Sequence, residues 1–325
     1  MHLTAKTAKR ETGQRGCALL AALALVGACA LVTPVTETAP ESPPAAATPA
    51  PPQRIAVAAP RDDIGAYFDA LEARRLSDGL LRQTRNPRDV PFSLRDLEEA
   101  FVQVALFDEY VLDGNRVIER ATPSTLRRWQ APVRMTLDFG DSVPEPVRRA
   151  DRRLVQSYAS RLARLTGHPV TLGGADPNFH VLVLDEAERR AIGPRLRQLV
   201  PGLDDLTVSL VQDLPITVSC LVLAFSRTGT DVYTDAIAVI RAELPDLSRR
   251  ACYFEELAQG MGLPNDSPRA RPSLFNDTAE FGVLTALDEH LLRMLYDPRL
   301  RPGLREREAR PIIRRIAREL MGAQS

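Results

Sequence analysis

Lysine is almost missing from this chain: of 325 residues only Lys6 and Lys9 are lysines, both near the N-terminus. Everything downstream therefore lacks the side chain that a Walker phosphate loop, a pyridoxal Schiff base or a lysine nucleophile requires. Histidine is nearly as scarce. Beyond His2 there are only His168, His180 and His290, and no two of them stand four apart, so no helix face offers zinc a pair of imidazoles. His168 precedes Pro169 at a strand start, His180 falls in a strand and His290 on a helix; each reads as a satisfied polar residue rather than a ligand. No G-x-S-x-G elbow is present, and no glycine-rich dinucleotide loop follows a strand. No internal repeat is visible. Neither sign of charge is in excess, with 42 basic and 42 acidic residues, so no overall field draws nucleic acid and none is expected as a partner. Arginine pairs such as Arg148-Arg149 and Arg314-Arg315 read as solvated helix faces.

What is present begins at the N-terminus. Lys6, Lys9, Arg10 and Arg15 form a basic region. Gly16 to Ala28 is almost wholly apolar but shorter than a membrane span, which takes about 20 residues. Val26-Gly27-Ala28-Cys29 ends the run. Small residues before a cysteine at this point resemble a bacterial lipoprotein signal. The resemblance implies a signal peptide over residues 1–28, acylation of Cys29, and the lipid bilayer as a partner through that anchor. The ordinary alternative is a secretory peptide cleaved near Ala28. Ala30, not aspartate, follows the cysteine, and by the sorting rule of the better-known Gram-negative bacteria this permits export to the outer membrane. The expected location is the periplasm, lipid-anchored, at the outer membrane in preference to the inner. Residues 30–60 hold eight prolines among alanines and threonines with almost no charge. Such a composition buries no core, so 29–60 reads as a lipidated cysteine and a semi-rigid tether.

Cys17 leaves with the leader and Cys29 is taken by the lipid. Cys220 and Cys252 remain, an even pair in an oxidising compartment, so a disulfide is expected, with two buried free thiols as the alternative. It would close a loop of about 30 residues and contribute roughly 3 kcal/mol.

The remainder is long enough for one large or two small domains. Residues 61–84 read as a helix from the spacing of Ile64, Tyr67, Phe68, Leu71, Leu76, Leu80 and Leu81. Asn86-Pro87 breaks it. Ser93 to Glu98 opens a second helix with a capping box from Ser93 to Asp96. Gly114-Asn115 is a turn, and 61–128 as a whole reads as a small helical region. From Trp129 strands and helices alternate. Strands are expected at Val133–Phe139, Pro169–Leu172, Phe179–Leu184, Ser219–Phe225 and Val232–Ala242. Helices are expected at Pro144–Leu165 and from Asp185 through Leu199. A helix starting at Pro245-Asp246-Leu247 puts Leu247, Ala251, Phe254, Leu257, Ala258 and Met261 on its core face and Cys252, Glu255 and Gln259 on a neighbouring stripe. An amphipathic helix stopped by Pro298 and a last helix over about 306–321 follow.

The run Glu255-Glu256-Leu257-Ala258-Gln259-Gly260-Met261-Gly262-Leu263-Pro264-Asn265-Asp266 carries the chemistry. Its spacing is similar to the zincin metallopeptidase pattern H-E-x-x-H-x-x-G-x-x-H/D, in which one helix face and the turn after it bind zinc. On that resemblance Glu256 takes the general-base position and Gly262 the turn, while Glu255, Gln259 and Asn265 stand where the ligands would be. More closely, residues 129–321 resemble domain-of-unknown-function family 2927, with Glu255, Glu256, Leu257, Gln259, Gly260, Gly262, Leu263, Asn265, Asp266 and Ser267 in its helix pattern. The resemblance implies an α+β, zincin-like domain over 129–321, with a twisted mixed sheet, the motif helix and C-terminal helices. It assigns no activity.

One carboxylate and two amides are a poor zinc set, so no metal and no cofactor are expected. Glu255 and Glu256 admit three readings: a solvated helix face, a polar pocket in a non-catalytic fold, or working hydrolysis. The pocket would comprise Glu255, Glu256, Gln259, Asn265 and Asp266. The leading expectation is a lipid-anchored envelope protein whose degenerate zincin-like domain serves binding or assembly, with an envelope protein or peptide as partner. The alternative is a peptidase-like hydrolase with Glu256 as general base and Glu255 or Asp266 as second carboxylate.

Overall fold

The computed structural model describes residues 2–7, 61–113 and 116–322. Cys29, the expected tether and the expected turn at Gly114-Asn115 lie outside the described residues, as does the expected signal peptide apart from His2–Thr7. Those six residues form strand β1 (His2–Thr7).

Helix α1 (Arg61–Ser77) stops short of the expected residue 84. Gly79 adopts φ +75° and Leu81 φ +54°, so the chain leaves helical geometry there, and Leu81 and Arg82 bond instead to Ala279 and Glu280. Helix α2 (Leu94–Ala105) begins as the capping box predicts, with both Ser93 and Asp96 side chains engaged. The helical region expected over 61–128 has its two helices and, in addition, a hairpin that was not expected. Strand β2 (Phe107–Asp113) pairs antiparallel with β3 (Arg116–Pro123), Asp113 opposite Arg116.

Beyond the hairpin come β4 (Arg128–Trp129), β5 (Val133–Phe139), α3 (Glu145–Thr166), β6 (Val170–Leu172) and β7 (Phe179–Leu184). β5 alternates and buries Val133, Met135 and Leu137, whereas every residue of β7 is buried. The single helix expected after Asp185 is two, α4 (Glu186–Ala191) and α5 (Gly193–Leu199), because Pro194 stands at the start of the second and restarts the helix. Helix α6 (Asp205–Gln212), capped by Asp204, was not foreseen. Strands β8 (Val218–Ser226) and β9 (Val232–Arg241) then lead to α7 (Asp246–Gln259), α8 (Ala286–Leu295) and α9 (Glu306–Gly322).

The strands join in the order β1-β8-β9-β7-β5-β6, with β4 on the first residues of β9. The β9-β7-β5-β6 run is parallel; β8 and β1 are antiparallel. The result is a mixed α/β architecture. The main apolar core gathers β5, β7, β9, α2, α3, α7, α8 and α9, and a second cluster lies between β8–β9 and α5–α6. Among the described residues no helix is long and apolar enough to cross a membrane.

Candidate functional site around helix α7

Helix α7 is buried from Ala251 to Gln259 on every side. Its sequence is amphipathic, and a solvated face for Glu255 and Glu256 was one of the three expectations. The structure overturns it: Glu255 is 1 % and Glu256 0 % exposed. The reason is long-range. The β8–β9 sheet covers one side and α3 another, while α1 lies over the helix start.

Each support is specific. The Glu72 carboxylate of α1 accepts from the Ser248 amide at 2.7 Å, so a residue far away in sequence caps a helix that has no cap of its own. One turn on, Arg75 is buried in the field of Glu255; burial lowers its pKa and the Glu255 charge opposes that fall. From α3, Asp151 receives the Arg249 guanidinium at 2.9 and 3.4 Å and the Tyr253 hydroxyl at 2.9 Å. The Tyr158 hydroxyl donates to the Phe254 carbonyl. Cys252 is disulfide-bonded to Cys220 of β8, with Cα atoms 6.0 Å apart. The pairing expected from cysteine counting is therefore present and ties the helix to the sheet.

The turn after α7 is equally constrained. Gly262 sits at φ +126°, and a Cβ there would collide with the Arg127 carbonyl oxygen. A Cβ at Gly260 would run into the Phe179 ring. Trp129 donates its indole N–H to the Gly260 carbonyl at 2.8 Å, and Tyr296 its hydroxyl to Met261 at 3.0 Å. Sequence reasoning assigned Trp129 and Tyr296 no part in the site; a lone tryptophan in a chain poor in aromatics was the available signal.

Of the five pocket residues, the structure brings Glu255 and Glu256 together behind Gln259. The Gln259 amide donates to Asp266 Oδ1 at 2.8 Å. The Asn265 amide donates to the Gln103 carbonyl of α2 at 2.7 Å, and its backbone N–H to Val104. The side-chain carbonyl oxygens of Gln259 and Asn265 are buried without a hydrogen-bond partner. Asn265 and Asp266 also line an open cavity of about 450 Å³, shared with Gln103, Glu119, Arg120 and Arg269. Glu255, Glu256 and Gln259 do not reach it. The larger cavity of about 840 Å³ beside Arg305 and Arg314 is distant from this chemistry, and its Arg310 is paired with Glu99 and Glu306.

Zinc does not fit this donor set. Among the described residues the one cluster with metal-ligating spacing is Cys220, Glu255 and Glu256, whose ligand atoms lie within 4.8 Å of one another. Cys220 is in a disulfide, and a disulfide sulfur is not a thiolate ligand. None of the three histidines joins the cluster. The ring of His180 meets Thr136 Oγ1 at 3.1 Å, that of His168 meets the Ala131 carbonyl at 2.8 Å, and that of His290 packs edge-on to Phe92. Burial lowers the pKa of His168 and His180. As arranged, with β1 in place, Glu256 is 0 % exposed, whereas a general base in hydrolysis must meet a water molecule.

Beyond the motif, the buried Asp288 carboxylate holds the turn in place. It accepts from the Leu274 amide at 2.9 Å, from the Thr285 amide at 2.8 Å and from the Ser273 hydroxyl. Burial outweighs these bonds and pushes its pKa up to about 6.

No curated protein and no solved structure matches this sequence. A family model does, over residues 95–315, which takes in α2, the hairpin, the whole sheet apart from β1, and helix α7 with its turn. That span is well over half of the chain, and the chain belongs to the family described as Protein of unknown function (DUF2927).

Proposed function

We propose that this is a lipid-anchored envelope protein whose zincin-like domain has become a binding or assembly module rather than a hydrolase. One observation carries the reading: the positions that would hold and use a metal are buried and offer only carboxylate and amide oxygens, a donor set that suits zinc poorly. Glu255 and Glu256 are buried, Gln259 is bonded to Asp266, Asn265 to Gln103, and the nearby thiol is spent in a disulfide. The zincin-like part of the reading is supported by a mixed sheet with an antiparallel outer strand, the helix after β9, the tight turn at Gly262 and the helices that follow. The location is supported by the leader and the proline-rich segment after Cys29.

Two measurements test it together. Metal analysis of the purified protein should find no stoichiometric zinc, and chelators should leave its fold intact. Palmitate labelling should mark the wild type and not Cys29→Ala. One zinc per chain, with peptide cleavage lost in Glu256→Gln, would promote the hydrolase reading. Equal labelling of both proteins would remove the anchor.

A further inference from the structure

At one edge of the sheet, β8 is the outermost strand except for β1. β1 closes it with a six-residue antiparallel ladder running from His2 opposite Ala224 to Thr7 opposite Val218. It also lies against α7 and the hairpin strand β2. The seat of β1 is thus a groove whose floor is a strand edge and whose walls are the motif helix and the hairpin.

On the signal-peptide reading of residues 1–28, this occupant is part of the leader. The basic and apolar residues that follow it have the order of a segment removed on export. Once it leaves, β8 presents a row of unpaired backbone N–H and C=O groups, which is a template for another extended chain. The strand it bares is apolar: Cys220, Leu221, Val222 and Leu223 are all buried while β1 is in place. The pairing is backbone to backbone, and an extended segment of another molecule can form the same ladder.

We propose that this edge docks an extended peptide segment of a partner protein, and that the peptide carries a basic residue opposite Cys220. The proposal rests on the binding-module reading above and names its ligand class. The specificity follows from sheet geometry. Cys220 points at α7, since it is bonded to Cys252 there. In an antiparallel pair, directly opposite residues project from the same face. The ligand residue opposite Cys220 therefore delivers its side chain toward α7, where the Glu255 and Glu256 carboxyl oxygens lie within 4.8 Å of the Cys220 sulfur. Two carboxyl groups at one point favour an ammonium or guanidinium. Residues on either side in the ligand face the other way and contribute less selectivity. The chain's own strand has the expected residue at this register position: Lys6 pairs with Cys220.

The test uses the full-length chain, expressed with its own leader and recovered after processing, with intact mass giving its N-terminus. The probe is a fluorescent peptide of sequence His-Leu-Thr-Ala-Lys-Thr, read by anisotropy. Saturable binding to the processed protein is expected. Glutamate in place of the lysine should weaken it roughly tenfold or more, as like charges are brought together. Glu255→Gln combined with Glu256→Gln should abolish the preference for lysine. Should that double variant fold poorly, the lysine and glutamate peptides on the wild type still decide the question. No saturable binding, or equal binding of a scrambled peptide, refutes the site. So does a processed chain that retains residues 2–7 with their amides protected from exchange, since the edge is then permanently self-covered. Palmitate labelling is read separately, so loss of the docking site and loss of the envelope anchor are distinguishable.

Discussion

Replacing Asp151 by alanine should destabilise this protein severely, although Asp151 lies outside the motif run of residues 255–266. Its carboxylate is 2 % exposed and accepts three hydrogen bonds, two from Arg249 and one from Tyr253. Arg249 would keep the Leu244 carbonyl at 2.9 Å and Asp246 at 3.2 Å, but the Asp246 side chain is mostly in solvent and is a weak counter-ion. Removing one partner of a buried ion pair costs about 3–5 kcal/mol because the other charge stays behind uncompensated. The orphaned Tyr253 hydroxyl adds about 1 kcal/mol at the low end of its range. A loss of roughly 4 kcal/mol is then expected, a large share of the 5–15 kcal/mol typical of a folded domain.

Urea unfolding, followed by the fluorescence of the buried Trp129, measures this directly. With a slope of about 3 kcal/mol per molar, the midpoint should fall by roughly 1–2 M. The companion variant is Asp151→Leu with Arg249→Met. It replaces both charges by apolar side chains and should recover most of the loss, because the penalty lies in the unpaired charge rather than in the missing contact. A cost below about 1 kcal/mol for the single variant, or a double variant as unstable as the single, would refute the argument.

Other expectations are open to the same assays. Reducing the Cys220–Cys252 bond, which closes a separation of 32 residues, should lower stability by about 3–4 kcal/mol. Peptide mapping without reduction should show the two cysteines linked, and two freely alkylated thiols would contradict the pairing. Gly262→Ala should cost about 2 kcal/mol or more, since φ +126° and the Arg127 carbonyl both oppose a Cβ; an unchanged midpoint would show that the turn relaxes. Asp288 has a pKa raised from 3.8 to about 6 by burial, so the folded chain holds a proton that the unfolded chain has released. Its contribution therefore favours folding below about pH 4 and is lost as pH rises through about 6, a change of about 3 kcal/mol that Asp288→Asn should flatten.

The legible parts of the fold were those written in local pattern. β5, β7, β8 and β9 stand close to where alternation or continuous apolar runs put them, and α2 starts at its capping box. The hairpin was not expected, although the sequence marks a turn at Gly114-Asn115. Its flanks carry Asp108, Glu109, Glu119 and Arg120 among the apolar residues, which blurs a period of two. The break at Gly193-Pro194 was written in the proline and passed over. The burial of Glu255 and Glu256 was not legible. Local periodicity places Glu255 beside the core face and says nothing of what lies over it. The β8–β9 sheet covers it from one side, and Glu72, Arg75 and Asp151, which support the helix from α1 and α3, lie between about 100 and 180 residues away in sequence; only the folded chain brings them there.

That distance bears on what the site is for. A buried pair of neighbouring carboxyl groups is expensive to desolvate. Retaining both glutamates on a helix that also needs a borrowed cap, a disulfide and a buried ion pair to stay in place is not what packing alone would select. Apolar residues would fill the same space at lower cost. The supports fall into two groups. The disulfide, Asp151 and the glycine turn all lie inside the family span of 95–315. Glu72 and Arg75 lie on α1, before that span begins, and β1 lies earlier still. The family portion thus contains the helix and its scaffold, and the two elements that lean on it from outside are both from the N-terminal side. Within the family span the helix is tied down by its own scaffold, and α1 and β1, from ahead of that span, complete its surroundings.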